Sequence, residues 1–287
     1  MKTQPLITCF ILNWNRKEET CRAIDSVINQ SYNNIEILVV DNGSDDGSLV
    51  YVKEKYKQVI CVQLEKNFGC PGGRNRGIEY CNGKYIFYVD NDGVLHEKAV
   101  EKAVEIIHSN SKIAVLTGLI MGFDTPLEID TKIALENRNY YQTNLFQGGI
   151  SIHRKDIYSE VGLYPDDYMY GGEESYLSYR ILDVGYEIVK SHNVILWHKK
   201  SDLARDNEKE SIRKWSNALI NAYQIFPMEK FIIFYIYFYT IYPVYAFRQG
   251  FLKSYLKMLP KINSRFDKYD RKPIKRETYY KFKELSK

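Results

Sequence analysis

The chain has 287 residues, of which 45% are hydrophobic and 26% are charged, a balance that excludes disordered and collagen-like chains and can supply a buried core. The formal net charge of +4 is unevenly divided. Residues 1–200 carry 22 Lys and Arg against 27 Asp and Glu, whereas residues 201–287 carry 18 against 9. The basic last third indicates either an anionic partner surface or a solvated face.

The first 120 residues alternate apolar runs with helical patterns. Asn15, with Glu18 three residues later, resembles a capping box at the start of the first helix. Continuously apolar strands separated by helices predict a parallel sheet covered on both faces, with ligands beyond the carboxyl ends of the strands. Strands are predicted at residues 6–12, 35–40, 59–64, 85–89 and 113–120, and helices at residues 15–29, 46–56, 74–81 and 97–109.

The pattern changes after residue 120, where residues 121–146 are polar with weak periodicity. We predict strands at residues 147–153, 187–190 and 194–197 and helices at residues 155–161, 173–184 and 207–226. The pattern therefore divides the chain into residues 1–120, residues 121–206 and a helical, basic and aromatic C-terminal extension (207–287).

Residues 231–247 carry no charge, include nine aromatic side chains and lie between Lys230 and Arg248. The run reaches only the lower length limit for a membrane span and contains Pro243. Tyr-rich composition with flanking cations favours a segment at the membrane surface over a span. A buried helix that covers the core is an equally weighted alternative.

All five cysteines lie in the first 81 residues and have no metal-ligand spacing, which favours a reducing cytosol over an oxidising compartment. The N-terminal apolar run is too short and too weakly charged for a signal peptide. We expect a cytoplasmic protein at the inner face of the cell membrane.

The clearest chemical motif is an apolar strand that ends in Asp90-Asn91-Asp92. Alternate residues of an extended stretch project to one side, so Asp90 and Asp92 are able to converge on a hard divalent cation such as Mg²⁺ or Mn²⁺. Two further segments suggest a nucleotide. Asp41 ends another apolar strand, and a glycine-rich loop leads into a helix that carries Arg74 and Arg76, a typical setting for a pyrophosphate.

Taken in order, these segments resemble the family-two inverting glycosyltransferases, which have the GT-A fold. The resemblance covers roughly residues 5–200, and the ordered co-occurrence of the motifs is far more specific than any single one. The matching segments are Asn13-Trp14-Asn15-Arg16, Asp41-Asn42-Gly43-Ser44, Asn67-Phe68-Gly69, Gly73-Arg74-Asn75-Arg76-Gly77, Asp90-Asn91-Asp92, Gly148-Gly149, Gly172-Glu173-Glu174 and Trp197-His198.

The resemblance implies an enzyme that moves a sugar from a nucleoside diphosphate sugar to a hydroxyl of a saccharide or lipid-linked acceptor, with Mg²⁺ or Mn²⁺ as cofactor. It also implies that residues 1–120 are the nucleotide-sugar-binding half of the catalytic domain and residues 121–206 its acceptor-binding half. Nucleic acid is not an expected partner. Either Glu174 or Glu173 is implied as the catalytic base, because a glutamate replaces the aspartate usual in the family. The metal ligands implied are Asp90, Asp92 and His198. The implied nucleotide-sugar contacts are Asn13, Asn15, Asp41, Asn67, Gly69, Arg74, Asn75, Asp90, Gly148 and Gly149.

The same residues allow other interpretations. Acidic residues in the first turn of a helix also complement its macrodipole, which is expected to lower the pKa values of Glu173 and Glu174. Residues 87–95 also resemble the first motif of haloacid-dehalogenase-type phosphatases, in which Asp90 would be a nucleophile. A third alternative is a non-catalytic sugar-nucleotide-binding protein.

Overall fold

A nine-stranded mixed sheet forms the centre of the protein. The computed structural model describes residues 4–122, 140–198 and 207–287. The strand order is β3-β2-β1-β4-β8-β6-β9-β5, and β7 also pairs with β9. The strands are β1 Ile7–Asn13, β2 Ile35–Asp41, β3 Ile60–Gln63, β4 Tyr85–Asp90, β5 Gly93–Leu95, β6 Ile113–Gly122, β7 Tyr141–Gln142, β8 Ile150–Arg154 and β9 Glu187–His198.

Helices cover both faces of this sheet. Side chains alternate along each buried strand, so that Cys9 and Ile11 pack into one core and Phe10 into the other. This confirms the predicted α/β architecture with a helical C-terminal region. The helices are α1 Lys17–Ile28, α2 Ser48–Lys55, α3 Gly69–Ile78, α4 Ala99–Ser109, α5 Ile157–Val161, α6 Glu173–Asp183, α7 Asn207–Ile225, α8 Met228–Thr240, α9 Tyr242–Arg248, α10 Leu252–Phe266 and α11 Arg276–Glu284.

The predicted parallel arrangement of the strands is present in only part of the sheet. β1 pairs in parallel with β2 and β4, and β2 with β3, but β8 runs antiparallel to β4 and β6. The two short strands predicted at residues 187–190 and 194–197 are one strand, β9. Its pairing with β6 shifts register between Thr117 and Leu119, so the polar residues 191–193 form an irregularity inside a strand rather than an end.

The glycine-rich segment is helical from Gly69 onward, so the prediction of a loop before Arg74 is wrong. Helix α3 begins at Gly69 and lies directly on the sheet. A Cβ atom at Gly77 would stand 2.2 Å from the ring of Phe10, and one at Gly73 would stand 2.7 Å from Leu12. The glycines are therefore required by close helix–sheet packing, which outweighs their poor helix propensity.

The predicted capping box is also absent. The residue that caps α1 is Arg16, without a side-chain capping bond, and Asn15 has a φ of 52°. The Asn15 side chain instead pairs with Asp45, donating to its carboxylate at 2.8 Å and accepting from its backbone N–H at 2.9 Å. This exchange ties the turn after β1 to the turn after β2.

The C-terminal region packs against the sheet. Ala222 and Ile225 of α7 and Phe282 of α11 pack into the same core as β1 and β4. Helices α8, α9 and α10 form a third apolar cluster with α7. The uncharged run is divided at Ile241 between α8 and α9. The division of the chain at residues 120 and 206 stays a prediction.

Candidate active site

A cleft of about 450 Å³ opens at the carboxyl ends of β1, β2 and β4. This is where a doubly wound sheet places its ligands. The residues that line the cleft are Leu12, Trp14, Arg16, Asn42, Asn67, Gly69, Cys70, Asp90, Asn91, Asp92, Met169, Tyr170, His198 and Arg213.

Three predicted metal ligands meet at the base of this cleft. Asp90 is the last residue of β4, and Asp92 lies in the turn that follows. His198 is the last residue of β9 and pairs with Gly93, the residue after Asp92. The ligand atoms of Asp90, Asp92 and His198 all lie within 4.8 Å of one another. Two carboxylates and one imidazole in this arrangement are suited to a hard divalent cation.

The two aspartates differ in electrostatic environment. Burial raises the pKa of Asp90, opposed by the charge of Arg74 and reinforced by that of Asp92. Burial also acts to raise the pKa of Asp92, but the hydrogen bond from His198 and the positive charge of Arg16 outweigh it, so this pKa is lowered. The His198 Nε2 lies 2.8 Å from the Asp92 Oδ1, and Arg16 forms an ion pair with the other oxygen. A cation would therefore compete with groups that already hold Asp92 in place.

The Gly148-Gly149 pair leaves space for these charged side chains. A Cβ atom at Gly149 would stand 1.9 Å from the Asp90 Oδ2, and one at Gly148 would stand 2.5 Å from Arg74 and 2.6 Å from Glu174. The Gly149 carbonyl also accepts the Asp90 backbone N–H at 3.0 Å. Because neither glycine has a side chain, the backbone of the pair lies directly beside the Asp90 carboxylate at the end of β4.

Arg74 connects the metal-ligand end of the site to the base candidates. Its guanidinium is buried beneath the rings of Tyr88 and Tyr164, 5.4 and 5.9 Å from their centroids. One guanidinium nitrogen lies 3.7 Å from the Glu174 Oε1. A buried cation at this position favours ionised Glu174 and Asp90.

Glu173 and Glu174 occupy the first turn of α6, but their exposure differs. The Glu174 side chain is 27% exposed and faces Arg74, whereas Glu173 is 1% exposed. Neither carboxylate oxygen of Glu173 has a hydrogen-bond partner among the described residues. The predicted lowering of both pKa values is wrong. Burial raises the pKa of Glu173 to about 7, assisted by the charge of Glu174, and burial raises that of Glu174 against the opposing charge of Arg74.

The turn before these glutamates is fastened by the C-terminal region. Gly171 and Gly172 have φ values of 86° and 94°, which favour glycine. Asn217 of α7 donates to the Gly171 carbonyl at 2.7 Å, and Asn221 donates to the Gly172 carbonyl at 2.7 Å. Helix α7 therefore fixes the loop that positions both base candidates.

Two predicted nucleotide contacts, Asn13 and Asp41, are fully buried beneath the loops and do not line the cleft. The Asn13 amide donates to Asp41 at 2.9 Å and to Ser48 at 2.8 Å, and the backbone N–H of Ser44 donates to Asp41 at 2.9 Å. These bonds hold the turn after β2. Asn15 lies nearby in its pair with Asp45, also outside the cleft.

Asn67 and Gly69 do line the cleft, together with Asn42. The Asn42 amide donates to Asn67 at 3.1 Å and to the Gly69 carbonyl at 3.0 Å. The predicted contact Asn75 lies elsewhere, since its amide donates to the Tyr164 carbonyl at 2.9 Å. Asn75 therefore fastens residues on the far side of α3.

Several cleft residues were not among the predicted site residues. Trp14, Arg16 and Asn42 belong to the matching motifs and were not assigned a role. Arg213 comes from α7 and carries no local motif, so only the tertiary arrangement brings it to the cleft.

Comparison with known proteins identifies the family. Residues 8–157, more than half of the chain, match the Glycosyl transferase family 2 domain. The chain is 27% identical over 213 residues to glycosyltransferase AglE of Haloferax volcanii, covering 68% of this chain and 67% of that protein. Two other curated glycosyltransferases, of Rickettsia prowazekii and Rickettsia typhi, are matched over only 36% of their length.

Solved structures share the fold. The mannosyltransferase PcManGT from Pyrobaculum calidifontis, in complex with GDP-Man and Mn²⁺, superposes with a TM-score of 0.62 at 16% identity, covering 92% of this chain and 76% of that one. S. aureus TarS 1-349 in complex with UDP-GlcNAc gives a TM-score of 0.60 at 15% identity, covering 76% and 66%. With the domain match, this identifies a glycosyltransferase and not a haloacid-dehalogenase-type phosphatase. The chain belongs to glycosyl transferase family 2.

Proposed function

We propose that the chain transfers a sugar from a nucleoside diphosphate sugar to an acceptor hydroxyl, with inversion at the anomeric carbon. The observation that carries this proposal is the convergence of Asp90, Asp92 and His198 at the base of a cleft at the strand ends. GDP-Man and UDP-GlcNAc bound to the solved relatives support a nucleotide-sugar donor.

Mg²⁺ or Mn²⁺ fits this donor set, with Asp90, Asp92 and His198 as the residues that would hold it. The cation, when bound, supplies positive charge that stabilises the departing diphosphate. The Mn²⁺ in the complex of the Pyrobaculum relative supports the same cofactor here. Arg16, paired with Asp92, adds a second positive group at the same edge of the cleft.

Glu174 is our choice for the base. It is the partly exposed member of the pair, and its raised pKa makes it a better proton acceptor than an ordinary surface carboxylate. The acceptor oxygen attacks the anomeric carbon, the bond to the diphosphate oxygen breaks with its electron pair, and Glu174 takes the hydroxyl proton. Glu173 is the second candidate, and its burial argues for a supporting role.

The remaining predicted residues fall into two groups under this proposal. Asn67, Gly69, Gly148 and Gly149 would contact the donor or leave space for it, as their positions in or beside the cleft support. Asn75 and the buried residues Asn13, Asp41 and Arg74 would act by holding the surrounding loops and charges, as would Asn15 through its pair with Asp45.

We further propose a saccharide or lipid-linked acceptor, a role in polysaccharide or glycan synthesis, and peripheral contact with the inner face of the cell membrane. By length and composition only, residues 228–248 are long and apolar enough to cross a membrane. Of an apolar 18-residue stretch within this segment, 11% is buried in the protein. In α8 only Phe238 is buried, and in α9 only Ala246, which argues against a core helix. Their exposed apolar side chains, flanked by Lys230 and Arg248, support a helix pair at the bilayer surface.

Calorimetric titration of UDP and GDP, with and without Mn²⁺, tests the donor site. We expect the wild type to bind one diphosphate in a Mn²⁺-dependent manner and a folded Asp92→Asn variant to lose this binding. Asp267→Asn is the control, because Asp267 is exposed and outside the cleft. Unchanged Mn²⁺-dependent affinity in folded Asp92→Asn refutes the proposed site.

A further inference from the structure

One side of α7 packs on the turn before Glu173 and reaches the cleft at Arg213. Arg213, Asn217 and Asn221 follow one another at four-residue spacing, which places them on the same side of the helix. Asn217 and Asn221 hold the Gly171 and Gly172 carbonyls. Arg213, one turn earlier, lines the cleft together with Tyr170, Asp90 and Asp92. The C-terminal region thus supplies part of the cleft surface.

The charge of Arg213 is not compensated within the described parts of the chain. The other cleft-lining arginine, Arg16, forms an ion pair with Asp92, and His198 lies 2.8 Å from the same carboxylate. No described residue forms an ion pair or a hydrogen bond with the Arg213 guanidinium. Its side chain is exposed, so its position is not required by packing. An exposed arginine that has no anionic partner among the described residues and lies beside a metal-ligand set is a strong candidate for an anion contact.

The charges of the cleft-lining residues, taken together with a bound divalent cation, favour an anionic ligand. The carboxylates of Asp90 and Asp92 offset the two charges of a divalent cation. The cleft-lining arginines, Arg16 and Arg213, then leave the cleft with an excess of positive charge. A diphosphate is the anionic part of the proposed donor, and the planar guanidinium matches its oxygens through two parallel hydrogen bonds.

We propose that Arg213 binds the diphosphate of the donor, so that a residue of the C-terminal region completes the donor site. This inference rests on the proposed function and adds a substrate contact that the matched domain, residues 8–157, does not contain. In the reaction Arg213 would stabilise the negative charge that remains on the diphosphate when the bond to the anomeric carbon breaks.

The test compares Arg213→Gln with Lys209→Gln in the full-length protein. Lys209→Gln removes one positive charge from the same helix, one turn earlier, at a residue outside the cleft. Calorimetry measures the affinity for UDP and GDP in saturating Mn²⁺, and electron paramagnetic resonance measures binding of Mn²⁺ alone. We expect Arg213→Gln to weaken diphosphate affinity roughly 10- to 100-fold, as the loss of one charged hydrogen-bonding group implies. Binding of Mn²⁺ alone and the melting temperature should stay at wild-type values.

Each outcome has a distinct meaning. If Arg213→Gln and Lys209→Gln both retain wild-type diphosphate affinity, the Arg213 contact is refuted and the proposed function stands. If both variants weaken binding equally, the effect is general electrostatics and the specific contact is refuted. If the wild type itself binds neither diphosphate in Mn²⁺, both the proposed function and this inference fail. Partial recovery in Arg213→Lys, which keeps the charge but loses the planar fork, supports the contact.

Discussion

Replacement of the buried carboxyl group of Glu173 by an amide should stabilise the protein in a pH-dependent way. Glu173 is buried, its carboxylate oxygens lack hydrogen-bond partners among the described residues, and Glu174 adds a second negative charge nearby. The charge of Arg74 opposes these effects but does not outweigh them. The protonated form is therefore the one that the folded protein accommodates, and Glu173→Gln is an uncharged isostere of that form.

The size and sign of the effect follow from the pKa of Glu173. The folded value is raised from 4.5 to about 7, which corresponds to about 3 kcal/mol of unfolding free energy. Between these pH values the folded chain keeps a proton that the unfolded chain has released. The free energy of unfolding of the wild type therefore falls as the pH rises through this window and stays reduced above it. The advantage of Glu173→Gln should grow from near zero below the window to about 3 kcal/mol above it.

Urea unfolding at pH 5 and pH 8, followed by circular dichroism, measures this difference. Glu79→Gln, a substitution on the exposed surface at the end of α3, is the matched control and should give the same difference at both pH values. A stability difference between Glu173→Gln and the wild type that does not change with pH, or a variant that is less stable than the wild type at pH 8, refutes a raised pKa at Glu173.

Three further outcomes are expected. Glu174→Gln should reduce turnover by roughly 10²- to 10⁴-fold with diphosphate affinity nearly unchanged, and near-normal turnover would remove Glu174 as the base. Gly149→Ala should abolish Mn²⁺-dependent diphosphate binding in a folded protein, because its Cβ atom would stand 1.9 Å from the Asp90 carboxylate; retained affinity in calorimetry contradicts this. The wild type should sediment with anionic liposomes at low salt and less at high salt, and paired Ile233→Ser and Phe247→Ser substitutions should reduce binding; an absence of wild-type binding refutes membrane contact.

The sequence predicts those candidate-site residues that lie at the end of one strand and in the turn after it. Asp90 and Asp92 were assigned because an apolar run followed by alternating carboxylates is a local signal. His198 was added only through the family resemblance. The pairing of Gly93 with His198 explains its position, and that pairing is a long-range contact with no local signal.

The errors have a common physical origin, which is that tertiary packing outweighed local preference. The glycine-rich stretch predicts a loop because glycine weakens helices. In the structure this stretch is a helix that packs so closely on Phe10 and Leu12 that a Cβ atom would clash with them. The raised pKa values of Glu173 and Glu174 were predicted with the opposite sign because a helix macrodipole is visible in a sequence and burial is not. Arg213 could not be predicted from the sequence, because only the tertiary arrangement brings α7 to the cleft.

The two asparagine bonds from α7 couple distant parts of the molecule. Helix α7 holds the turn that carries Glu173 and Glu174 through Asn217 and Asn221, and it also packs against α8 and α10 in the third apolar cluster. A partner that favours one position of α7 when it binds α8 would therefore also act on the turn before Glu173 and Glu174 and, through it, on donor affinity. Thermodynamic linkage then requires that donor binding alter affinity for that partner to an equal extent.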